Sequence, residues 1–402
     1  MHTLVLAMLL VGQQAPGPMP LPPAGTAPKP ADCPTPLLDG QPRPDRVMPA
    51  DPVILRDGRV AMGEPSIVAD WEGTRYRFTS EGTRNLFLND PTTYAARDGG
   101  ACGRMGPLGG LGDARLYAIE EGLLYFFASE ACMRTFREAP HSYMEPYDIL
   151  PAGTPEQQAD GLKAVERWVK WSGGRDAVRG ATKYSHMSTQ EVLQGGAKWI
   201  LTENVQVDGP RQMRRTETWR KVDGTPRDTF TFSVETTPGG ATMTGGNGMP
   251  IELVPSRRQA FERQMNRLPY NILRARFRPE AGFLAIKSGE GRLGEWDCDF
   301  VQTWFDGNLT YLAIDKATGR LVQTGHMGRT STAKVVSLTN DVASVGPEQV
   351  LRLPTRWVSY ETDAKEGTLG PELSILIERT GPAAPAPPAA PAPPAAPGPA
   401  PK

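Results

Sequence analysis

The sequence predicts an α+β protein in which a duplicated ββα unit is followed by an antiparallel sheet unit with covering helices. Three observations carry this. Residues 76–94 (YRFTSEGTRNLFLNDPTTY) and 125–143 (YFFASEACMRTFREAPHSY) align without a gap through Tyr76/Tyr125, Phe78/Phe127, Ser80/Ser129, Glu81/Glu130, Phe87/Phe136, Pro91/Pro140 and Tyr94/Tyr143. A register kept through turn, strand and helix marks an internal duplication. From 181 onward, apolar and polar residues alternate in short runs punctuated by Asp-Gly and Gly-Gly turns, the pattern of antiparallel strands with one wet face. Apolar residues recur at helical spacing in 156–172 and 256–278.

Length and charge set the outer limits. At 402 residues the chain is long enough for two domains. Its 44 basic and 45 acidic residues leave a net charge of -1, which gives no footprint for nucleic acid. The 40 prolines concentrate at the ends, so the ends rather than the middle read as unfolded. Residues 1–15 begin MHTLVLAMLLV, an apolar run too short to span a bilayer but suited to a signal peptide. Export to the periplasm or outside the cell is the expectation, and it would permit disulfides. Residues 16–50, which include Cys33, read as a Pro-rich disordered linker, and 381–402 as a disordered Ala/Pro tail.

The first folded unit is placed at 51–147. Each copy of the repeat reads as strand, Glu-Gly turn, strand and helix. Ser80 or Ser129 caps the helix, Phe87 or Phe136 anchors it, and Pro91 or Pro140 stops it. The match extends back through Glu72-Gly73 and Glu121-Gly122 to Gly63 and Gly112. The glycine-rich bridge between the copies carries Cys102, but its spacing is not that of a phosphate-binding loop.

The second unit is placed at 156–380, after a break marked by Pro151, Gly153 and Pro155. Its first helix, 156–172, has Leu162, Val165, Trp168 and Val169 on one face, a Thr154/Gln157 capping box and a Gly173-Gly174 stop. Strands follow to 254, with Trp199, Leu201, Glu203 and Val205 alternating. The helical segment 256–278 has Ser256 as expected N-cap and a break at Pro269, then strands resume from 283 to 378. Phe261, Met265, Leu268 and Ile272 form the stripe of that helical segment, ringed by seven arginines. Such a helix either covers a sheet or lies on an anionic membrane surface; the first reading is the stronger.

Two stretches resemble known families. The run WEGTRYRFTSEGTRNLFLNDPTTY, the GGACG after it and LYFFASEACMRTF resemble an extended, exported YHS domain. Many YHS domains are associated with metal handling, and their motif cysteines correspond to Thr79, Thr83, Ala128 and Cys132 here, so one of four is present. Cys102 matches a further cysteine of the extended type. Cys102, Cys132 and His141, with Met105, Met133 and Met144 nearby in sequence, have the soft donor chemistry of a copper(I) site. A structural role for these side chains is the competing reading.

From 156 to 380, the order of elements, with DGNLTYLAIDKATGRLVQTGH and LRLPTRWVSYE, resembles the LolA/LolB lipoprotein carriers and receptors. That resemblance implies a curved antiparallel half-barrel wrapped on a helix, with an apolar hollow for acyl chains. The residues expected to line it are Trp199, Trp219, Phe230, Phe232, Phe261, Met265, Trp304 and Tyr311. No G-x-S-x-G or H-E-x-x-H motif is present, and the Asp297/Asp299 pair around Cys298 reads as a solvated strand face. The expected function is therefore binding rather than catalysis: an apolar ligand or lipid in the half-barrel, an envelope protein as partner, and the YHS-like unit as docking or sensing module. Copper handling is the alternative.

Overall fold

The computed structural model describes residues 46–144, 148–194, 196–209, 212–225, 228–245, 248–327, 334–345, 351–361 and 368–379. The expected signal peptide, Cys33, most of the linker and the Ala/Pro tail lie outside these residues. The first unit begins at Arg46, within the stretch whose composition reads as linker, because β1 (Val47–Met48) adds a parallel strand to β3 and α1 (Pro52–Arg56) follows it directly. Asp51 caps α1 and also accepts from the Thr79 N–H and hydroxyl at 2.8 and 2.9 Å, tying the entry of the chain to the repeat.

The duplication predicted from the sequence is present in the backbone. One copy comprises β2 (Glu64–Trp71), β3 (Thr74–Phe78) and α2 (Glu81–Asn89), followed by the short α3 (Pro91–Tyr94). The other comprises β4 (Asp113–Glu120), β5 (Leu123–Phe127) and α4 (Glu130–Glu138). Glu72 and Glu121 both take positive φ, 44° and 50°, and each is followed by a positive-φ glycine. These are the two central residues of a tight hairpin turn that matches strand twist. The caps are equally matched: the hydroxyl of Ser80 accepts from Thr83 N and that of Ser129 from Cys132 N, both at 3.2 Å. Phe87 packs on Tyr76 and Phe78 at 4.9 and 5.2 Å, and Phe136 on Tyr125 and Phe127 at 5.1 and 5.0 Å. Gly63 and Gly112 are required for one reason. A Cβ at either would collide with the second strand of its own hairpin, at Arg77 and at Phe126.

The second unit opens with α5 (Pro155–Trp171). Its Thr154/Gln157 capping box forms in both directions, at 3.2 and 2.9 Å. A Thr154→Ala variant should lose about 1 kcal/mol in chemical denaturation, since the cap satisfies an otherwise orphaned N–H. After α6 (Arg175–Gly180), the strands β6 (Ala181–Gln194), β7 (Ala197–Asp208), β8 (Met213–Lys221), β9 (Thr229–Thr237), β10 (Gly240–Thr244) and β11 (Pro250–Glu252) run as an antiparallel meander. Helices α7 (Pro255–Asn266) and α8 (Pro269–Ala275) follow. A second antiparallel meander then runs through β12 (Leu284–Leu293), β13 (Trp296–Phe305), β14 (Asn308–Asp315), β15 (Leu321–Met327), β16 (Lys334–Val345), β17 (Leu351–Glu361) and β18 (Thr368–Leu369). The last strand, β19 (Ser374–Arg379), returns to the first sheet and pairs with β6. One core joins both sheets to the helices. Trp168 of α5, Phe261 and Met265 of α7, Ile272 of α8, Val205, Val234, Val301 and Leu312 are all buried in it.

Segment 256–278 is therefore a cover for the sheets. Its apolar stripe is in the core, Arg257 and Arg263 are themselves buried, and Arg258, Arg276 and Arg278 pair with Glu262, Glu166 and Asp306. A helix with its apolar face already inside has none left to place in a membrane, so the surface-contact reading is corrected. The N-terminus also differs from expectation. Ser256 is not the N-cap of α7; the helix starts at Pro255, with Val254 before it and no side-chain cap of its own. The cap comes from the other unit: Ser256 N–H and hydroxyl donate to Glu72 at 3.0 and 2.6 Å. The carboxylate thus sits at the positive end of the helix.

Candidate functional site

The inner face of the first sheet, the one turned toward α7 and α8, divides along its strands into three zones. The cross-strand register places Trp199, Leu201, Glu203, Val205 and Val207 of β7 on this face, with Met213, Arg215, Glu217 and Trp219 of β8 and Phe230, Phe232 and Val234 of β9 opposite them. At the lower end, Val205, Val207, Met213, Val234 and Met243 are buried under Phe261, Met265, Ile272 and Leu273. This zone is filled.

Above it lies an ionic layer. Arg215 pairs with Glu203 at 2.7 Å and Glu217 at 2.6 Å, and donates to Gln264 of α7 at 3.2 Å. His186 of β6 approaches Glu203 at 3.5 Å and shares a 2.8 Å hydrogen bond with the Tyr184 hydroxyl. Burial works against the charge on Glu203. The His186 hydrogen bond and the Arg215 cation outweigh it, so the carboxyl titrates below its ordinary range. Tyr184, wholly enclosed, is pushed far above the usual phenol value by desolvation.

The upper end is open and aromatic. Trp219 stacks on Phe230 with ring centroids 6.1 Å apart and planes 7° from parallel, and Trp199 meets Phe230 edge-on at 5.8 Å. The Trp219 indole N–H donates to Glu217 at 3.0 Å, so the ionic layer fixes the ring above it. Phe230 remains 41% exposed although it is the centre of the cluster. Lys221 is directly opposite Trp199 in the register and on the same face.

Of the eight residues expected to line a hollow, the fold brings Trp199, Trp219 and Phe230 together, with Phe232 one step lower and packed against the core. Phe261 and Met265 are in the filled zone. Trp304 and Tyr311 are on the reverse face of the second sheet, in phase with Cys298 and Phe300 rather than with the core residues Val301 and Phe305. The Tyr311 hydroxyl there donates to the Met327 sulfur at 3.5 Å. Sequence reasoning missed the ionic layer. Its only signal was the placement of Glu203, Arg215 and Glu217 at inward positions of alternating strands.

His326 and the Asp297/Asp299 pair resolve separately. His326 faces inward on β15, where burial, with Arg267 adding to it, lowers its pKa to about 3, so it is neutral at physiological pH. Asp299 is buried between Arg167 and Lys287, whereas Asp297 is exposed and meets Lys316 at 3.3 Å. The pair therefore divides between an internal ion cluster and the surface. Cys298 is buried on the opposite face of the strand, and its thiol is pushed up to about 11 by desolvation.

In the first unit Cys102 and Cys132 do meet, both as free thiols. Cys132 occupies the first turn of α4. The neighbouring Ser129 hydroxyl, with Arg104 and Cys102, holds its thiol pKa below the ordinary value against the opposing effect of burial. His141 does not join them; it lies 3.6 Å from Glu121 and is largely exposed. Among the described residues, no group of three or more His, Cys, Asp and Glu is placed to hold a metal ion. The donor set brought together is thus a dithiol, which suits copper(I) in low coordination but not a three-ligand Cys/Cys/His centre.

The two units share a seam. Besides the Glu72–Ser256 cap, buried Arg257 of α7 donates to the carbonyls of Pro107 and Gly109 in the glycine-rich bridge, both at 2.8 Å. A cavity of about 180 Å³ opens beside this contact, lined in part by Arg97, Arg104, Tyr143 and Arg263.

No known protein-family model matches the chain, and no curated protein matches its sequence. Among solved structures it is similar to a DUF1329 family protein from Desulfovibrio piger, at 10% identity and a TM-score of 0.33, over 54% of this chain and 93% of that one. It is also similar to a LolA superfamily protein from Nitrosomonas europaea, at 10% identity and a TM-score of 0.35, over 55% of this chain and 94% of that one. At that level no residue role transfers. Among the described residues, no helix is long and apolar enough to cross a membrane.

Proposed function

We propose that this chain is an exported cell-envelope binding protein that holds an apolar ligand, the acyl chain of a lipid or lipoprotein, on the open aromatic end of its half-barrel. Trp199, Trp219 and Phe230 provide the contact surface. Lys221 stands beside it to meet an anionic head group, and the YHS-like unit serves as the docking module for an envelope protein partner. The observation that carries this reading is the exposed Trp219–Phe230 stack on a sheet face whose lower end is sealed by α7. An ordered aromatic cluster left facing solvent is a surface built to be covered. Its rings are already fixed by Glu217 and by one another, so little side-chain entropy is lost on binding.

The test is a palmitate titration read by tryptophan fluorescence, with native mass spectrometry of protein purified from the envelope. The Trp219→Ala/Phe230→Ser pair should weaken binding about tenfold through lost apolar contact. Equal affinity in that variant, or a spectrum free of lipid together with no fluorescence response, would overturn the reading.

The packing of Cys132 against the buried cluster that contains Cys102 favours a second reading, copper(I) handling by a two-thiolate site. A copper(I) competition titration of the reduced protein should then show one site that Cys132→Ser removes; identical curves for the two proteins would rule it out.

A further inference from the structure

The cavity at the seam takes no part in either reading above, and its lining has a definite chemistry. Among the described residues, Arg97, Asp98, Arg104, Tyr125 and Tyr143 of the first unit line it together with Arg263 of α7. Arg97 and Arg263 are more than nine-tenths buried, at 6% and 7% exposed. Three guanidinium groups thus meet one carboxylate, and pairing within the lining neutralises at most one of the three. At the ionic layer the balance is the reverse, one Arg215 facing both Glu203 and Glu217. Cations set in a cleft away from bulk water are weakly screened, and a cleft lined by one sign of charge concentrates the other. The volume, about 180 Å³, far exceeds the ~10–15 Å³ that one water needs, so a polyatomic anion fits.

The walls are set in advance. Residues 97–100 form a turn in which Asp98, Gly99 and Gly100 all take positive φ, at 51°, 61° and 71°. A left-handed aspartate persists where its surroundings over-determine it. Here the buried Arg46 guanidinium donates to the Gly99 carbonyl at 3.0 Å and to the Gly100 carbonyl at 3.4 Å. Farther along the bridge, Gly103 N–H donates to the Phe126 carbonyl at 2.8 Å, and Arg257 holds the Pro107 carbonyl at 2.8 Å. Gly103 and Pro107 both border the cavity. A pocket framed in this way has little backbone left to order when a ligand enters.

We propose that this cavity binds a phosphate group, carried by inorganic phosphate or by a small phosphate monoester. The guanidinium fork matches pairs of phosphate oxygens. Three such forks from separate stretches of chain suit a tetrahedral anion better than a planar carboxylate, and the tyrosine hydroxyls supply further donors. A phosphate monoester carries about −1.5 to −2 charges at pH 7, which matches the cationic surplus of the lining. Because the lining comes from both units, the bound anion bridges them, beside the Arg257 and Glu72 contacts. The site is distinct from the aromatic end of the half-barrel and does not rest on it.

The experiment is isothermal titration calorimetry of the full chain at low ionic strength, with inorganic phosphate and glycerol 3-phosphate as ligands and succinate as control. One saturable site is expected for at least one of the two phosphates, and the melting temperature should rise as it fills. Tighter binding of glycerol 3-phosphate identifies a monoester as the occupant; binding of inorganic phosphate alone identifies the free ion. Arg263→Gln should weaken the site about tenfold through the loss of a charged hydrogen bond. Arg104 is exposed, so Arg104→Gln leaves the packing in place and should still weaken binding severalfold, which keeps the test decisive if Arg263→Gln does not fold. No saturable heat from either phosphate, succinate binding as tightly as phosphate, or unchanged affinity in Arg104→Gln would each overturn the proposal.

Discussion

Arg257→Met should cost about 3 kcal/mol and lower the melting temperature by roughly 5–10 °C, with the single unfolding transition separating into two. The guanidinium is 1% exposed on α7 and donates to Pro107, Gly109 and the Met243 sulfur. Methionine fills much of the same volume but offers no donor, so two carbonyls of the glycine-rich bridge lose a charged hydrogen bond in a place water reaches poorly. Because those carbonyls belong to one unit and α7 to the other, the loss falls on the seam rather than on either core. Arg257→Lys should recover less than half of the loss, since one ammonium cannot reproduce the forked geometry that spans both carbonyls. A variant that melts in one transition at the original temperature would show that the seam is held elsewhere, the Glu72–Ser256 cap being the next contact to remove.

How much of this could be read in the chain itself depends on the range over which each signal acts. The repeat was readable because both copies use the same local chemistry: a Glu-Gly turn, a serine cap and a phenylalanine anchor. The structure keeps all three in register. The start of α5 was readable for the same reason, since Thr154 and Gln157 are three residues apart and complete each other. The start of α7 was not. Its partner Glu72 is 184 residues away, and no local pattern could assign the cap to it.

Strand alternation has a similar limit. It correctly put Trp199, Leu201, Glu203 and Val205 on one face of β7, but it cannot say which face of the next sheet meets the core. Trp304 and Tyr311 were therefore grouped with residues on the wrong side of β13 and β14. The seven arginines of the α7–α8 segment misled in the opposite sense. Charge in a sequence suggests solvent, yet Arg257 and Arg263 are buried; the long stem of Arg257 packs while its head finds acceptors across the seam.

The second large effect is expected at the ionic layer beneath the aromatic surface. Glu203→Gln should destabilise the protein by about 3 kcal/mol at neutral pH, because it leaves Arg215 and His186 inside the fold with one carboxylate fewer. Glu217 still contacts Arg215 at 2.6 Å, which keeps the cost at the lower end for a broken buried pair. The sign of the pH dependence follows from the depressed carboxyl. Its ordinary value is 4.5 and its folded value is lower, so its contribution is complete above pH 4.5 and disappears as pH falls through the folded value. Acid titration of stability should therefore be shallower in Glu203→Gln than in the unmodified chain over the window below pH 4.5, with the two curves converging at the acid end. Equal slopes would mean that Glu203 does not carry the acid sensitivity. The same variant probes the site above it. Trp219 is fixed by Glu217, and Glu217 by the Arg215 that Glu203 helps to hold. Loosening that chain should shift tryptophan emission to the red and broaden it before any ligand is added. A binding surface whose order depends on a polar floor should lose affinity when the floor is disturbed, even though Glu203 touches no ligand. Palmitate affinity in Glu203→Gln is therefore expected to fall severalfold, with the acyl-contact rings themselves intact.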